Sequence, residues 1–207
     1  MGETVISGGF WTVARTAAAL GARAPSRKPL PVILFFTDPD RTPDIEAAAA
    51  RLPRGSAIVY RSFGDPAAEA RARGLLAIAR ARGLKLLIGA DWDLARRIGA
   101  HGVHLPERLA AHARRLRRPG FLVTTAAHSL GAARRALAWG ADAVVVSAVF
   151  PSASPSAGGP MGPVRLADLV RAAGGPVYAL GGINNKTARR LLPTGVVGIA
   201  AVEALRT

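Results

Sequence analysis

The stretch KLLIGADWDLARRIGAHGVHL, Lys85–Leu105, decides the fold. It opens on a short apolar run, Lys85–Ile88, that predicts a strand. Asp91 then stands where a helix N-cap belongs, because its carboxylate can accept a bond from a backbone N–H that has no partner in the first helical turn. An apolar-periodic segment runs to Ile98, and Gly99 sits where a left-handed residue ends a helix. Gly102–Leu105 predicts the next strand. Strand, helix and strand in so short a span make a βαβ unit, whose two strands are parallel.

The same rhythm extends in both directions. Further strands are predicted at Val32–Thr37, Ala57–Arg61, Phe121–Thr125, Ala143–Val146, Val177–Leu180 and Val197–Ala200. Helical patterns fall between them, near Asp44–Leu52, Pro66–Arg82, Pro106–Leu116, Ser129–Trp139, Val164–Ala172 and Asn184–Leu192, and a last short helix begins near Val202. Ser129 reads as an N-cap, and Pro66 and Pro106 stand where a first-turn proline is tolerated. Eight βα units in about 175 residues predict an α/β fold, a closed (β/α)8 TIM barrel. An open doubly wound sheet is disfavoured, since no Gly-x-Gly-x-x-Gly follows the first strand. Residues 1–31 lie ahead of the barrel, which takes 32–207. Within this N-terminal extension Phe10–Ala22 predicts an amphipathic extra helix able to plug the barrel's bottom.

Composition narrows the function. The 207 residues carry 28 Lys and Arg against 13 Asp and Glu, a net charge of +15. Such a field favours anionic partners without choosing among them. Cysteine is absent, so thiolate nucleophiles and cysteine-based metal centres are excluded. No apolar run approaches the roughly 20 residues that span a bilayer, and no membrane partner is expected. A basic leader is lacking and the cytoplasm is the default location. The arginines come as pairs on helices, with few interleaved aromatics, which disfavours nucleic acid as a partner and predicts outer, solvated faces. A homo-oligomer is compatible with the sequence.

In a barrel of this kind the reacting groups lie at strand C-termini and in the loops that follow. Those positions hold Thr37 and Asp38, Arg61, Asp91, His104 and Glu107, His128, Ser152 and Ser154, and Gly181-Gly182. Gly181 and Gly182 after the seventh strand, with Ala201 and Val202 closing the eighth, predict a phosphate cup in which backbone N–H groups grip the anion. His128 is the candidate proton shuttle, because imidazole titrates near neutral pH. Arg61 is the candidate partner for a phosphoryl or pyrophosphoryl group, with a salt bridge to Asp38 or Asp65 as the alternative. His101 and His104, three apart on one strand, point to opposite faces and cannot share a metal.

Several of these pieces resemble the thiamine phosphate synthase and TenI family. Phe36-Thr37-Asp38 is similar to the family's first-strand ending, and Tyr60-Arg61 to its Gln-x-Arg-x-Lys. Ala100–Leu105 resembles "GADGVHLGQ", Ala127-His128-Ser129 resembles "S-x-HS", and Gly140–Ala143 resembles "GADY". Val149–Ser154 resembles the phosphate loop "P-v-f-x-T-x-T-K", and Tyr178–Ile183 resembles "vAIGGI". The resemblance implies a TIM barrel that binds a small phosphorylated substrate, a thiazole phosphate. It implies a transferase that couples the thiazole phosphate to a pyrimidine pyrophosphate with Mg²⁺ to give thiamine phosphate; the alternative is a metal-independent tautomerisation of the thiazole by His128. A phosphate-ligand-binding barrel without catalysis is a further reading.

The departures cluster where the synthase handles Mg²⁺-pyrophosphate. The Gln and Lys positions of the second-strand motif are Val59 and Phe63, and the third-strand Asn-Asp falls at Gly89-Ala90. The fourth-strand Gly-Gln-x-Asp falls at Pro106–Leu109, and the phosphate-loop lysine is Pro155. Mg²⁺ is thus implied as cofactor while its expected carboxylate ligands are absent, with Asp91 and Glu107 the nearest substitutes. Glu203 stands where the family commonly has serine, and a carboxylate there opposes a bound anion unless it points away.

Overall fold

The computed structural model describes residues 8–23, 29–152 and 158–202. Eight parallel strands close into one barrel in sequence order, each hydrogen-bonded to the next and β8 to β1. They are β1 (Ile33–Phe36), β2 (Ala57–Tyr60), β3 (Lys85–Gly89), β4 (Gly102–Leu105), β5 (Leu122–Ala127), β6 (Ala143–Val146), β7 (Val177–Ala179) and β8 (Gly198–Ala201). All eight fall on predicted runs, shifted by a residue or two at the ends. Around them lie α1 (Gly8–Arg23), α2 (Ile45–Ala50), α3 (Ala68–Arg82), α4 (Trp92–Ile98), α5 (Ala113–Leu116), α6 (Leu130–Ala138) and α7 (Gly162–Ala173).

The strands are apolar on both faces because both are covered. Alternate residues form two cores. Leu34, Phe36, Ala57, Val59, Leu87, Leu122, Val145, Tyr178 and Ala200 fill the interior. Ile33, Phe35, Ile58, Leu86, Ile88, Val103, Val144 and Ile199 face the helices. Tyr178 is large for this space, and Gly198 makes room for it: a β-carbon there would lie 2.7 Å from the tyrosine ring. The Tyr178 hydroxyl donates to the Pro31 carbonyl at 2.6 Å, and Leu30 packs against the interior core. These residues close the N-terminal end. The α1 helix packs elsewhere: Phe10, Val13, Ala17 and Leu20 join the outer core, against β8 and the turn Ala188–Leu191.

Two predicted helices differ. Pro106–Leu116 is a 3₁₀ segment, Glu107–His112, followed by the single turn of α5. Of Asn184–Leu192 only the 3₁₀ turn Ala188–Leu191 is helical. There the Asn184 side chain accepts from the backbone N–H groups of Lys186 and Thr187 at 2.9 and 3.2 Å. Side-chain bonds of this kind compete with the helical ladder. The helix expected from Val202 onward begins where the described residues end.

Candidate functional site at the barrel mouth

The C-terminal mouth takes its groups from the residues just beyond the strands. At the end of β1 and β2, Thr37 and Asp38 hold Arg61. The Arg61 Nε–H donates to the Thr37 carbonyl at 2.8 Å, its Nη2 to Asp38 Oδ2 at 3.2 Å, and its backbone N–H to Thr37 Oγ1 at 2.9 Å. The alternative reading of Arg61, an ion pair with Asp38, is therefore realised. The guanidinium lies 5.8 Å from the Phe36 ring centre and 4.8 Å from that of Phe63. Burial, partly offset by Asp38, lowers its pKa from the usual value.

His104 lies beneath, inside the barrel. It is 8 % exposed, its Nδ1 is 3.0 Å from Thr124 Oγ1, and its ring meets Phe36 edge-on at 4.8 Å. Burial first, and the Arg61 charge second, push its pKa down to about 3, so it stays neutral. His101 accepts from the Leu86 backbone N–H through Nδ1 at 3.0 Å, outside the interior. The two histidines serve separate faces, as their spacing predicts.

His128 follows β5 and is 58 % exposed. Glu107, after β4, reaches it: one oxygen, Oε2, accepts from the His128 backbone N–H at 2.9 Å and lies 2.7 Å from Nδ1. Because an ionised carboxylate can only accept, this contact assigns a proton to Nδ1. Ser129 next to it caps α6 by accepting from Ala132 N–H at 3.1 Å, which fixes the loop. Sequence reasoning weighed Glu107 only as a metal ligand and missed this role.

After β7 the chain turns through Gly181 (φ 100°) and Gly182 (φ 64°), left-handed positions that favour glycine. A β-carbon on Gly182 would meet the Pro151 carbonyl at 2.3 Å, so the turn packs directly on the β6 loop. Phe150 N–H donates to the Gly181 carbonyl, and the Thr187 hydroxyl to that of Gly182 at 2.9 Å. Among the described residues neither the Gly181 nor the Gly182 N–H meets an acceptor. Ser152 is half-buried in the neighbouring loop. Ser154 and Glu203 lie outside the described residues. Ala201 is the last residue of β8, in register with Phe35, and Val202 follows it, its carbonyl 3.5 Å from the Thr42 hydroxyl.

The sequence profile described as thiamine monophosphate synthase matches residues 33–205. The chain belongs to that family. The thiamine-phosphate synthase of Marinobacter nauticus is 33 % identical over 184 residues, covering 84 % of this chain and 82 % of that protein. That of Thioalkalivibrio sulfidiphilus is 34 % identical over 183 residues, 83 % of this chain and 86 % of its own. Among solved structures, a thiamine phosphate pyrophosphorylase from Pyrococcus furiosus has a TM-score of 0.71 at 27 % identity, covering 82 % of this chain and 84 % of that one.

The family's Mg²⁺ can be tested against these residues. Mg²⁺ asks for one or two carboxylates with oxygens free to coordinate. Asp91 caps α4, its Oδ1 accepting from Leu94 N–H at 2.8 Å, and Glu107 Oε2 is engaged by His128, so one oxygen of each carboxylate is committed elsewhere. No group of three or more His, Asp or Glu side chains able to hold a metal occurs among the described residues. The described residues thus offer no ready set of Mg²⁺ ligands.

Proposed function

We propose that the protein is a thiamine-biosynthesis enzyme that binds a thiazole phosphate at the C-terminal mouth and moves a proton on it with His128. The observation that carries this reading is the 2.7 Å contact between His128 Nδ1 and Glu107. It holds the imidazole in place at the mouth with a proton on Nδ1, and turns the ring so that Nε2 is the atom left for the transfer. A tautomerisation to the aromatic thiazole needs only that one C–H proton be removed at one carbon and returned at another while electron pairs shift within the ring. No oxidant is required. Imidazole is suited to both halves of the step.

The phosphate is assigned to the Gly181 and Gly182 amides, with Ser152 and the Ala201–Val202 backbone as further contacts; Ser154, the other hydroxyl of the phosphate loop, lies outside the described residues. Unpaired N–H groups favour an anion, and the net charge of +15 attracts one from a distance. Arg61, beyond β2, is a further binding group of the mouth, already shared with Asp38.

The names of the relatives favour a second reading, coupling of the thiazole phosphate to a pyrimidine pyrophosphate. Against it stand Ala90 and Leu109 at the positions of the family's two metal carboxylates. One pair of assays separates them. With thiazole tautomer as sole substrate and chelator present, turnover is expected, falling at least 100-fold in His128→Asn, the usual scale of acid–base catalysis being about 10²–10⁴. With both substrates and Mg²⁺ at high enzyme concentration, no thiamine phosphate is expected. Its formation would establish the coupling reading instead. Binding of thiazole phosphate without turnover in either assay would leave a ligand-binding barrel.

A further inference from the structure

On the β1–β2 side of the mouth four side chains form a column that the proton chemistry does not use. From the interior outward it runs His104, Phe36, Arg61 and Phe63, with ring or guanidinium separations of 4.8, 5.8 and 4.8 Å. The outermost member, Phe63, is 61 % exposed and one of the few large apolar side chains on the described surface. Its backbone is left-handed, φ 49°, a conformation that bulky residues rarely adopt. Gly89 opposite carries no side chain, and a β-carbon there would press on Arg61 Cγ at 3.2 Å, so the column's lower part has no slack.

Two features of this column define what it can receive. The Arg61 charge is countered by Asp38 at 3.2 Å, so the column is close to neutral. The guanidinium lies against one face of Phe63 and draws its π density inward, which makes the outer face a poor seat for a second cation. That face is suited to an electron-rich planar ring in offset stacking. We infer that Phe63, backed by Arg61, is a specificity-determining stacking platform for an uncharged heteroaromatic ring of the ligand. The inference rests on the reading of the mouth as the ligand site and adds to it the chemistry of the ligand part that lies away from the glycine turn.

The test reads binding alone. Isotope-labelled native protein is titrated with adenine, tetramethylammonium or inorganic pyrophosphate, following the backbone amides of Ser62, Phe63 and Gly64. Adenine is expected to shift these resonances, and the other two to leave them in place. Phe63→Ala should weaken adenine about ten-fold, within the usual range for one aromatic stack, while Phe63→Tyr retains it. Thermal melts of both variants verify the fold.

Several outcomes would overturn the inference: no adenine response in the native protein, an undiminished response in folded Phe63→Ala, or equal responses to pyrophosphate or tetramethylammonium. A native dimer that Phe63→Ala converts to monomer would also do so, by assigning the ring to an interface between copies. Absence of thiazole turnover would remove the proposed activity and leave this result standing.

Discussion

Glu107 shows how a single oxygen can set the chemistry of a neighbour. By taking both the backbone N–H and the Nδ1 proton of His128, it orients the ring and selects its tautomer. Glu107→Gln keeps the size and loses the charge. Its kcat for proton transfer is expected to fall by about one to two orders of magnitude with KM little changed, because the lost interaction supports the imidazolium that forms in the transition state. A steady-state assay of both constants checks this.

None of that pairing was legible in the sequence, since residues 107 and 128 lie on successive loops and only barrel closure brings them together. His128 itself was legible, from its place after the fifth strand. His104 makes a different prediction. Its folded pKa is about 3 and its unfolded value near 6.5, so between these pH values the unfolded chain binds the extra proton. Stability is therefore full above about pH 6.5 and is lost as the pH falls, at up to about 1.4 kcal/mol per pH unit. His101, lowered by burial and by Arg80 and Lys85, adds in the same direction. Urea midpoints between pH 7 and pH 5 should drop in the native protein and drop less in His104→Gln.

At the scale of elements, the caps were the most readable features. Asp91, Ser129 and Gly99 all end or begin helices where the sequence places them. Each is a local matter of one side chain or one left-handed residue. The segment after β7 was misread as a helix because Asn184 and Thr187, polar and unremarkable in a helical pattern, turn their side chains back on the backbone and on Gly182. That bonding also fixes the glycine turn, so this segment shapes the turn to which the phosphate is assigned under the proposed function. Asp91 offers a direct test at this scale. If it only caps α4, Asp91→Ala should cost about 1 kcal/mol in denaturant unfolding and leave turnover unchanged with or without Mg²⁺. A loss of Mg²⁺-dependent activity would make it a metal ligand.

For the whole molecule, the strict alternation of strand and helix was enough to give the barrel and its order. What alternation could not give was the place of α1, because nothing in a single amphipathic helix names the surface it covers. Its apolar side lies in the same outer core as α2 to α7, beside β8. It should then unfold with the barrel. Leu20, 2 % exposed, is the probe: Leu20→Ala is expected to lower unfolding free energy by about 2–4 kcal/mol in a single transition. A separate early transition would mark α1 as an appendage. The paired arginines Arg96-Arg97, Arg114-Arg115, Arg117-Arg118, Arg134-Arg135 and Arg189-Arg190 are all exposed, so the positive charge is spread around the outside and acts as a general field.

The phenol of Tyr178, locked to Pro31 at the floor, has a bearing on traffic. With that end stoppered by its own polypeptide and the interior filled with side chains, the cylinder leaves a ligand one approach, across the open rim.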